Sequence, residues 1–269
     1  MTVWIDGRRN ELIDYRDRGL QYGDGVFETM HVGRGVVRLL DDHLDRLLEG
    51  CRRLGIRPPP VRTLRAEITA AATRAERGVL KLIVTRGVGT RGYRPSGRER
   101  CTRILALTPA AAPNPGPVRV RICRTRLGAN PVLAGLKTLN RLESVLARRE
   151  WRDPRIWEGL MLDPDANLVC GTMSNLFLRR GSLLQTPRLD RCGVAGVMRR
   201  WVLRQTRRLK LQVREERLQL DDLVDAEEVF LTNAIVGVVS VADIRIAHRH
   251  LRPKQFGAAD ELRGLLASL

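Results

Sequence analysis

Lys137 is a candidate nucleophile because of its residue type and its surroundings. It lies in the segment 133–143, LAGLKTLNRLE, between an apolar, strand-like stretch and the start of a predicted helix. Burial lowers the pKa of a lysine amine, and the neutral amine is the form that attacks a carbonyl carbon to make an imine. Only four of the 48 basic residues are lysines. A surface lysine packed along its stem would fit the same spacing, but an arginine guanidinium cannot form an imine, so a lysine kept in this arginine-rich chain leaves the chemical role open.

Two further segments are candidates for a functional role. Residues 186–199, TPRLDRCGVAGVMR, predict the end of a strand, a loop, and glycines that open a helix. The backbone N–H groups at such a helix start suit a phosphate, although an ordinary loop has the same composition. Arg46, in the segment 43–46 (HLDR), stands within the first amphipathic helix, where an arginine is commonly a surface residue.

The net charge of +18 does not by itself indicate a nucleic-acid partner. The arginines are dispersed along the chain, and the densest clusters have the spacing of a solvated helix face. Five cysteines without a C-x-x-C pair, and four scattered histidines, give no metal-ligand spacing. The sequence therefore predicts no metal site, and it makes nucleic acid an unlikely partner.

The 269 residues are expected to form two domains of a mixed α/β protein. The proline-rich stretch 110–117, AAAPNPGP, cannot continue a helix or a central strand. We place a small domain at 1–113, a linker at 114–117 and a large domain at 118–269. No apolar run approaches the roughly 18–20 residues of a membrane span, and no signal peptide is visible, so the expected location is the cytoplasm.

Hydrophobic periodicity predicts the elements that must position these residues. A hairpin is predicted at 25–37. The predicted helices cover 39–54, 61–75, 140–151, 195–209 and 255–266. The predicted strands include 3–8, 79–85, 103–108, 118–123, 158–162, 167–169, 174–178, 229–231 and a buried strand at 235–244. Residues 86–98, which we call the basic loop, separate two strands and are rich in glycine and arginine.

In its motifs, the chain resembles the fold type IV family of pyridoxal-phosphate (PLP) enzymes. That family contains branched-chain aminotransferases, D-amino-acid aminotransferases and 4-amino-4-deoxychorismate lyases, and the resemblance is closest to the lyases. The segments that carry it are 21–29 (QYGDGVFET), 43–46 (HLDR), 86–93 (RGVGTRGY), 127–131 (LGANP), 134–143 (AGLKTLNRLE), 174–177 (SNLF), 186–189 (TPRL) and 193–199 (GVAGVMR). The resemblance covers nearly the whole chain and implies the two-domain fold of that family, with the cofactor between the domains.

The resemblance also implies a role for each site residue. Lys137 would hold PLP covalently and move protons, with Thr29 near the reacting face. The cofactor-binding residues would be Arg46, the backbone of Val194 and Ala195, Asn233 and Ala234 at a second phosphate-side turn, and Asn140 and Glu143 beside the lysine or the cofactor hydroxyl. Arg91 and Tyr93 of the basic loop would bind the substrate carboxylates, for which an arginine fork is suited. The family is typically a homodimer.

Cys170 is a departure from the family pattern. The family carries a glutamate five residues before the asparagine of its Asn-Leu-Phe motif, where it pairs with the pyridine nitrogen of PLP, and Cys170 holds that position here. A carboxylate keeps the ring protonated and strongly electron-withdrawing, whereas a thiol is a weak hydrogen-bonding partner. The hypothesis is that Cys170 slows transamination more than elimination.

The implied reaction converts 4-amino-4-deoxychorismate to 4-aminobenzoate and pyruvate, a step toward folate. One alternative is an aminotransferase of the same fold that acts on D- or branched-chain amino acids. Another is a member without catalytic activity that binds polyanions through its basic surface. Fold alone does not decide among them.

Overall fold

The structure is a computed structural model that describes residues 1–110 and 116–268. The described chain divides into two compact units. The first comprises residues 1–110 and Leu136–Asn140, and the second comprises residues 116–135 and 141–268. The linker predicted at 114–117 begins with residues 114 and 115, which lie outside the described residues.

The first unit is built on a six-stranded antiparallel sheet. Its elements are β1 (Thr2–Ile5), β2 (Arg8–Arg9), α1 (Arg18–Tyr22), β3 (Gly25–Gly33), β4 (Val36–Val37), α2 (Leu40–Leu54), α3 (Val61–Ala72), β5 (Arg77–Thr85) and β6 (Arg103–Pro109). The strand order is β2-β1-β6-β5-β3-β4. The predicted hairpin at 25–37 is confirmed as β3 and β4.

Alternation along β3 gives the sheet two different faces. Val26, Met30 and Val32 are buried in one hydrophobic core with the apolar side of α2 and α3. Phe27 and Thr29 point to the other face and are only partly buried. Because successive strand residues point to opposite faces, one short strand serves the core and a second surface at the same time.

The second unit contains a nine-stranded mixed sheet. Its elements are β7 (Val118–Ile122), α4 (Leu142–Arg148), β8 (Ile156–Leu162), β9 (Leu168–Gly171), β10 (Asn175–Arg180), β11 (Leu183–Pro187), α5 (Val197–Gln205), β12 (Gln212–Glu216), α6 (Leu220–Val224), β13 (Glu228–Asn233), β14 (Gly237–Ile246), β15 (Arg249–Leu251) and α7 (Gly257–Ala267). The order is β12-β11-β10-β13-β14-β7-β8-β9, with β15 beside β14. Among the described residues, none of the helices combines the length and the apolar character needed to cross a membrane.

The helix predicted at 140–151 is shorter in the structure. It covers only Leu142–Arg148, because Arg141 before it has a non-helical backbone (φ −121°, ψ 20°) and residues 149–150 form a turn. The helix predicted at 195–209 likewise begins at Val197, since Gly196 has an extended backbone (φ −64°, ψ 140°). The prediction missed α1, whose five residues are too few to show a helical period.

Candidate active site

Lys137 lies in an extended segment that pairs with the beginning of β3. The Phe27 N–H donates to the Lys137 carbonyl oxygen (3.0 Å), and the Leu139 N–H donates to the Gly25 carbonyl oxygen (3.0 Å). The Lys137 Nζ atom lies 4.3 Å from the ring centroid of Phe27. Backbone hydrogen bonds on both sides of the lysine therefore fix the position of its amine on the partly buried face of β3.

Lys81 of β5 is a second amine beside the same ring. Its Nζ atom is 5.2 Å from the Phe27 centroid, and Lys81 is paired directly with Thr29 in the β3–β5 register. Thr29, Phe27, Lys81 and Lys137 consequently share one face of the first unit. The sequence pattern predicts no role for Lys81, although the scarcity of lysine in this chain singles it out.

Arg46 of α2 lies toward the core face of β3, where it meets Glu28. Its Nε is 2.7 Å from Glu28 Oε1, its Nη2 is 2.5 Å from Oε2, and His43 Nδ1 is also 2.5 Å from Oε2. All three side chains are buried. Burial raises the pKa of Glu28, but Arg46 and His43 outweigh it and lower that pKa to about 2. Glu28 is therefore ionised and holds the Arg46 guanidinium in one orientation.

The loop 193–196 is tied down at the start of α5. The Gly135 N–H donates to the Gly193 carbonyl oxygen, and the Ala195 N–H donates to the Gly135 carbonyl oxygen, each at 3.0 Å. Asn175 Nδ2 donates to the Val194 carbonyl oxygen at 2.9 Å. A phosphate that used the Ala195 N–H would share a donor that already has a partner, whereas these contacts leave the loop itself rigid.

The second phosphate-side turn follows β13. Asn233 Oδ1 accepts hydrogen bonds from the N–H groups of Ile235 and Val236, both at 3.0 Å. The side chain thus shapes the turn that contains Ala234. A contact from this turn to a phosphate would come from its backbone.

Asn140 and Glu143 each hold a neighbouring backbone segment. Asn140 Nδ2 donates to the Gly23 carbonyl oxygen (3.2 Å), and Glu143 Oε1 accepts from the Gly128 N–H (2.7 Å). A Cβ atom on Gly23 would lie 2.4 Å from Asn140 Oδ1, so the close approach requires glycine. Asn140 therefore fixes the segment that carries Lys137.

Arg91 and Tyr93 lie on the basic loop and are exposed. The Tyr93 ring is 85% exposed and packs edge-on against Tyr22, with 5.5 Å between the ring centroids. The loop therefore presents a cation and an aromatic ring next to each other, which suits an anionic ring-shaped ligand.

Cys170 of β9 is buried among apolar side chains. The cluster contains Cys123, Leu127, Ala147, Met161, Val169 and Cys192. Burial raises the pKa of Cys170 to about 12, so its thiol is neutral at physiological pH.

The buried acid on the neighbouring strand does not replace the missing glutamate. Glu158 of β8 accepts hydrogen bonds from the Gly159 N–H (2.9 Å), Thr172 Oγ1 (2.5 Å), the Met173 N–H (3.1 Å) and Ser174 Oγ (2.9 Å). Its two oxygens are committed to the turn that follows Cys170, which makes Glu158 a structural support for that turn.

The sequence pattern described as Amino-transferase class IV matches residues 25–244. The chain belongs to this family. It is 34% identical over 247 residues to an aminodeoxychorismate lyase of Vibrio harveyi, covering 90% of each chain. It is 26% identical over 260 residues to a D-alanine aminotransferase of Bacillus licheniformis, covering 91% of this chain and 88% of the relative.

Among solved structures, the chain is similar to a 4-amino-4-deoxychorismate lyase from Pseudomonas aeruginosa. The identity is 44%, the TM-score is 0.91, and the match covers 99% of this chain and 98% of that one. Membership in the family makes the chain a PLP-dependent enzyme with the fold type IV architecture.

Each unit has groups that fit a part of PLP. In the first unit, the Lys137 amine suits the aldehyde, and the Arg46 guanidinium, which is buried beside Glu28, suits a phosphate. In the second unit, the loop 193–196 at the start of α5 suits a phosphate. Cys170, also in the second unit, stands where the family resemblance implies a carboxylate beside the ring nitrogen, and its thiol is neutral.

Proposed function

We propose that this enzyme is a lyase that converts 4-amino-4-deoxychorismate to 4-aminobenzoate and pyruvate, a step of folate biosynthesis. The observation that carries the proposal is the 44% identity over 99% of the chain to a lyase, against 30% to a putative branched-chain aminotransferase and 26% to the D-alanine aminotransferase. A neutral thiol at position 170 supports the same choice, because transamination relies more heavily on a protonated ring.

PLP, when bound, supplies an electron sink for the substrate carbon that bears the amine. Lys137 removes the proton from ring carbon C4 of the substrate. The bond from the ring to the enolpyruvyl oxygen then breaks, and protonation of the departing methylene carbon gives pyruvate. Loss of pyruvate makes the ring aromatic, which drives the elimination forward. Thr29, on the same face as Lys137, assists the proton transfer.

The remaining site residues bind and orient the cofactor and the substrate. Arg46 and the backbone of Val194 and Ala195 hold the phosphate, together with the turn at Asn233 and Ala234. Asn140 holds the segment that carries Lys137 against Gly23, and Glu143, in α4, holds the backbone at Gly128. Arg91, Tyr93 and Lys81 receive the two substrate carboxylates, since cations and an aromatic ring complement an anionic diene.

The test is direct. Purified enzyme is given 4-amino-4-deoxychorismate, and 4-aminobenzoate and pyruvate are measured separately; the proposal expects them in equal amounts. Borohydride reduction followed by peptide mass analysis is expected to trap the cofactor on Lys137, and Lys137→Ala is expected to lose both the label and the activity. Unequal products, or none, would contradict the lyase assignment.

Lys81 offers a more specific test of the substrate face. Lys81→Met is expected to raise KM about tenfold or more with a small change in kcat, because a carboxylate loses a charged partner. Lys81→Arg is expected to restore part of the affinity. Lys254→Met, an exposed lysine outside the site, is the matched control. A KM unchanged by Lys81→Met would remove Lys81 from the substrate site.

Aminotransferase activity is the second candidate, because the same family and fold include it. It predicts consumption of 2-oxoglutarate or pyruvate with an amino-acid donor, whereas the lyase needs no oxo acid. A steady transamination rate that exceeds elimination would favour this alternative.

We also propose that the enzyme works as a homodimer in the cytoplasm. The exposed side of α4 carries Leu142, Val145 and Leu146, which are 75%, 52% and 51% exposed. Such an apolar helix face is typical of a protein interface. All five cysteines are free, which suits a reducing compartment.

A further inference from the structure

Arg18 is a buried cation that belongs to none of the sequence motifs and has no role in the proposed chemistry. Only 3% of it is exposed, although it lies on the five-residue helix α1. A buried guanidinium is costly unless its donors are satisfied, so its partners indicate what it does.

The partners of Arg18 are the backbone of the basic loop and one carboxylate. Its Nη1 donates to the Gly92 carbonyl oxygen (2.7 Å) and its Nη2 to the Tyr93 carbonyl oxygen (2.8 Å). Its Nε donates to Asp24 Oδ2 (3.0 Å). The guanidinium also lies 4.8 Å above the Tyr22 ring, whose hydroxyl accepts from the Gly92 N–H (3.2 Å). The N–H and the carbonyl oxygen of Gly92 are therefore both held by side chains of α1.

Asp24 connects this contact to the base of the basic loop. Arg86 Nε donates to Asp24 Oδ2 (2.7 Å), and Arg86 Nη2 donates to Oδ1 (3.0 Å). Burial raises the pKa of Asp24, but Arg86 and Arg18 outweigh it and hold that pKa below its ordinary value. The other donors of Arg86 reach the carbonyl oxygens of Leu54 and Gly55 at the end of α2. The ion network Arg86–Asp24–Arg18 thus anchors the loop to the helical framework.

Glycines permit this close packing. A Cβ atom on Gly89 would lie 2.7 Å from Arg18 Cδ, so the loop passes directly over the arginine stem. The side chains of Arg91 and Tyr93 nevertheless remain exposed. The loop backbone is fixed while the two side chains that flank Gly92 stay available to a ligand.

We propose that Arg18 is a positioning residue for substrate, which fixes the peptide around Gly92 so that Arg91 and Tyr93 are presented in one geometry to the anionic substrate. The inference rests on the proposed lyase function. A lysine at position 18 could not replace it, because a single ammonium on a flexible stem cannot reach Asp24 and two carbonyl oxygens as a planar fork does.

The experiment compares the wild-type holoenzyme with Arg18→Lys and with Arg16→Lys. Arg16 is an exposed arginine on the same segment whose side chain pairs with Asp14, so it is the matched control. Arg18→Lys is expected to raise KM for 4-amino-4-deoxychorismate about tenfold while kcat changes less than about twofold. PLP content and affinity are expected to stay unchanged.

Limited trypsin digestion gives a second readout. Cleavage after Arg91 or Arg98 is expected to be about fivefold faster in Arg18→Lys than in either the wild type or Arg16→Lys, because a released loop opens more often. Tyr22→Phe, which removes only one hydrogen bond, is expected to shift KM and cleavage in the same direction by smaller amounts. Tyr22→Phe is the variant that tests the inference if Arg18→Lys fails to fold.

The outcomes separate the inference from the proposed function. Lyase activity with an unchanged KM in Arg18→Lys would overturn the inference alone, whatever the digestion shows. A fall in kcat or loss of PLP at unchanged KM would also overturn it, since Arg18 would then support the structure rather than substrate binding. A wild-type enzyme without lyase activity would remove the proposed function and this inference with it.

Discussion

Cys170 is the residue at which we predict that the choice between elimination and transamination can be changed. Its thiol is neutral because burial raises its pKa to about 12, and the four donors to Glu158 keep that acid occupied. Cys170→Glu is expected to raise the ratio of transamination to elimination by about tenfold or more, since a carboxylate would favour the protonated, more electron-withdrawing ring. Pyridoxamine phosphate and 4-aminobenzoate formed in a single turnover give this ratio.

Cys192→Ser is the matched control for this substitution. Cys192 belongs to the same buried cluster, so its loss tests whether any change in packing alters the ratio. If Cys170→Glu binds PLP and leaves the ratio unchanged, the thiol does not influence the choice of reaction.

Residues whose role follows from local sequence were easier to predict than those defined by a distant partner. Lys137 stands out by type and context in one segment, and the structure places it beside Phe27. Lys81 and Arg18 owe their positions to a strand register and to contacts more than 70 residues away in the chain. No window of sequence shows such a pairing, which is why both were missed.

Between α2 and β3, the buried group Glu28, His43 and Arg46 predicts how stability depends on pH. The pKa of Glu28 is lowered from 4.5 to about 2 on folding. A carboxyl with a lowered pKa stabilises the folded state above its unfolded pKa, and this contribution is lost as the pH falls toward the folded value. We expect up to about 3 kcal/mol of unfolding free energy to disappear between about pH 5 and pH 2.

The comparison of Glu28→Gln with Glu49→Gln isolates this contribution. Denaturant unfolding across that pH range is expected to show a flatter acid limb for Glu28→Gln, together with lower stability at neutral pH. Glu49, an exposed partner of Arg52 on the same helix, is expected to leave the curve nearly unchanged because solvent screens such a pair. Parallel curves for the wild type and Glu28→Gln would contradict the assignment.

Two glycines of the basic loop, Gly87 and Gly97, form a matched pair that tests where the loop requires glycine. Gly87 has φ +94°, and a Cβ there would lie 1.8 Å from the Arg100 carbonyl oxygen, whereas Gly97 has φ +79° with open space around it. Gly87→Ala is expected to cost about 3 kcal/mol or more of unfolding free energy, and Gly97→Ala about 1 kcal/mol. Equal costs would mean that backbone conformation alone, and not the close approach at the loop base, sets the requirement for glycine.

The ends of the helices show where hydrophobic periodicity no longer predicts the structure. The strong apolar period of α2 predicted a helix at 39–54, and the structure has it at Leu40–Leu54. The helix predicted at 140–151 covers only Leu142–Arg148, because Arg141 before it has a non-helical backbone (φ −121°, ψ 20°). The segment 137–139, which carries Lys137, pairs with β3, and hydrophobic spacing gives no signal of that pairing.

For the whole molecule, composition and the order of the motifs predicted the fold class, but they did not predict which charged or apolar side chains would form the exposed surface. The charge of +18 follows from arginines spread over both units, many of which are paired with acids or backbone oxygens, as Arg18, Arg46 and Arg86 are. The apolar side of α4 was not visible in advance, since the same spacing of leucine and valine is expected for a buried helix.

That apolar side predicts the state of assembly. The enzyme is expected to run at twice its 30.4 kDa mass in light scattering, because Leu142, Val145 and Leu146 lie exposed at the i, i+3 and i+4 positions of one helix face. The double substitution Leu142→Asp and Leu146→Asp is expected to give monomers, since two carboxylates would be buried in the interface. Val224→Asp, at a 59% exposed apolar residue on α6, is expected to stay dimeric. A wild-type monomer, or a dimer unaffected by the double substitution, would show that α4 is not the interface.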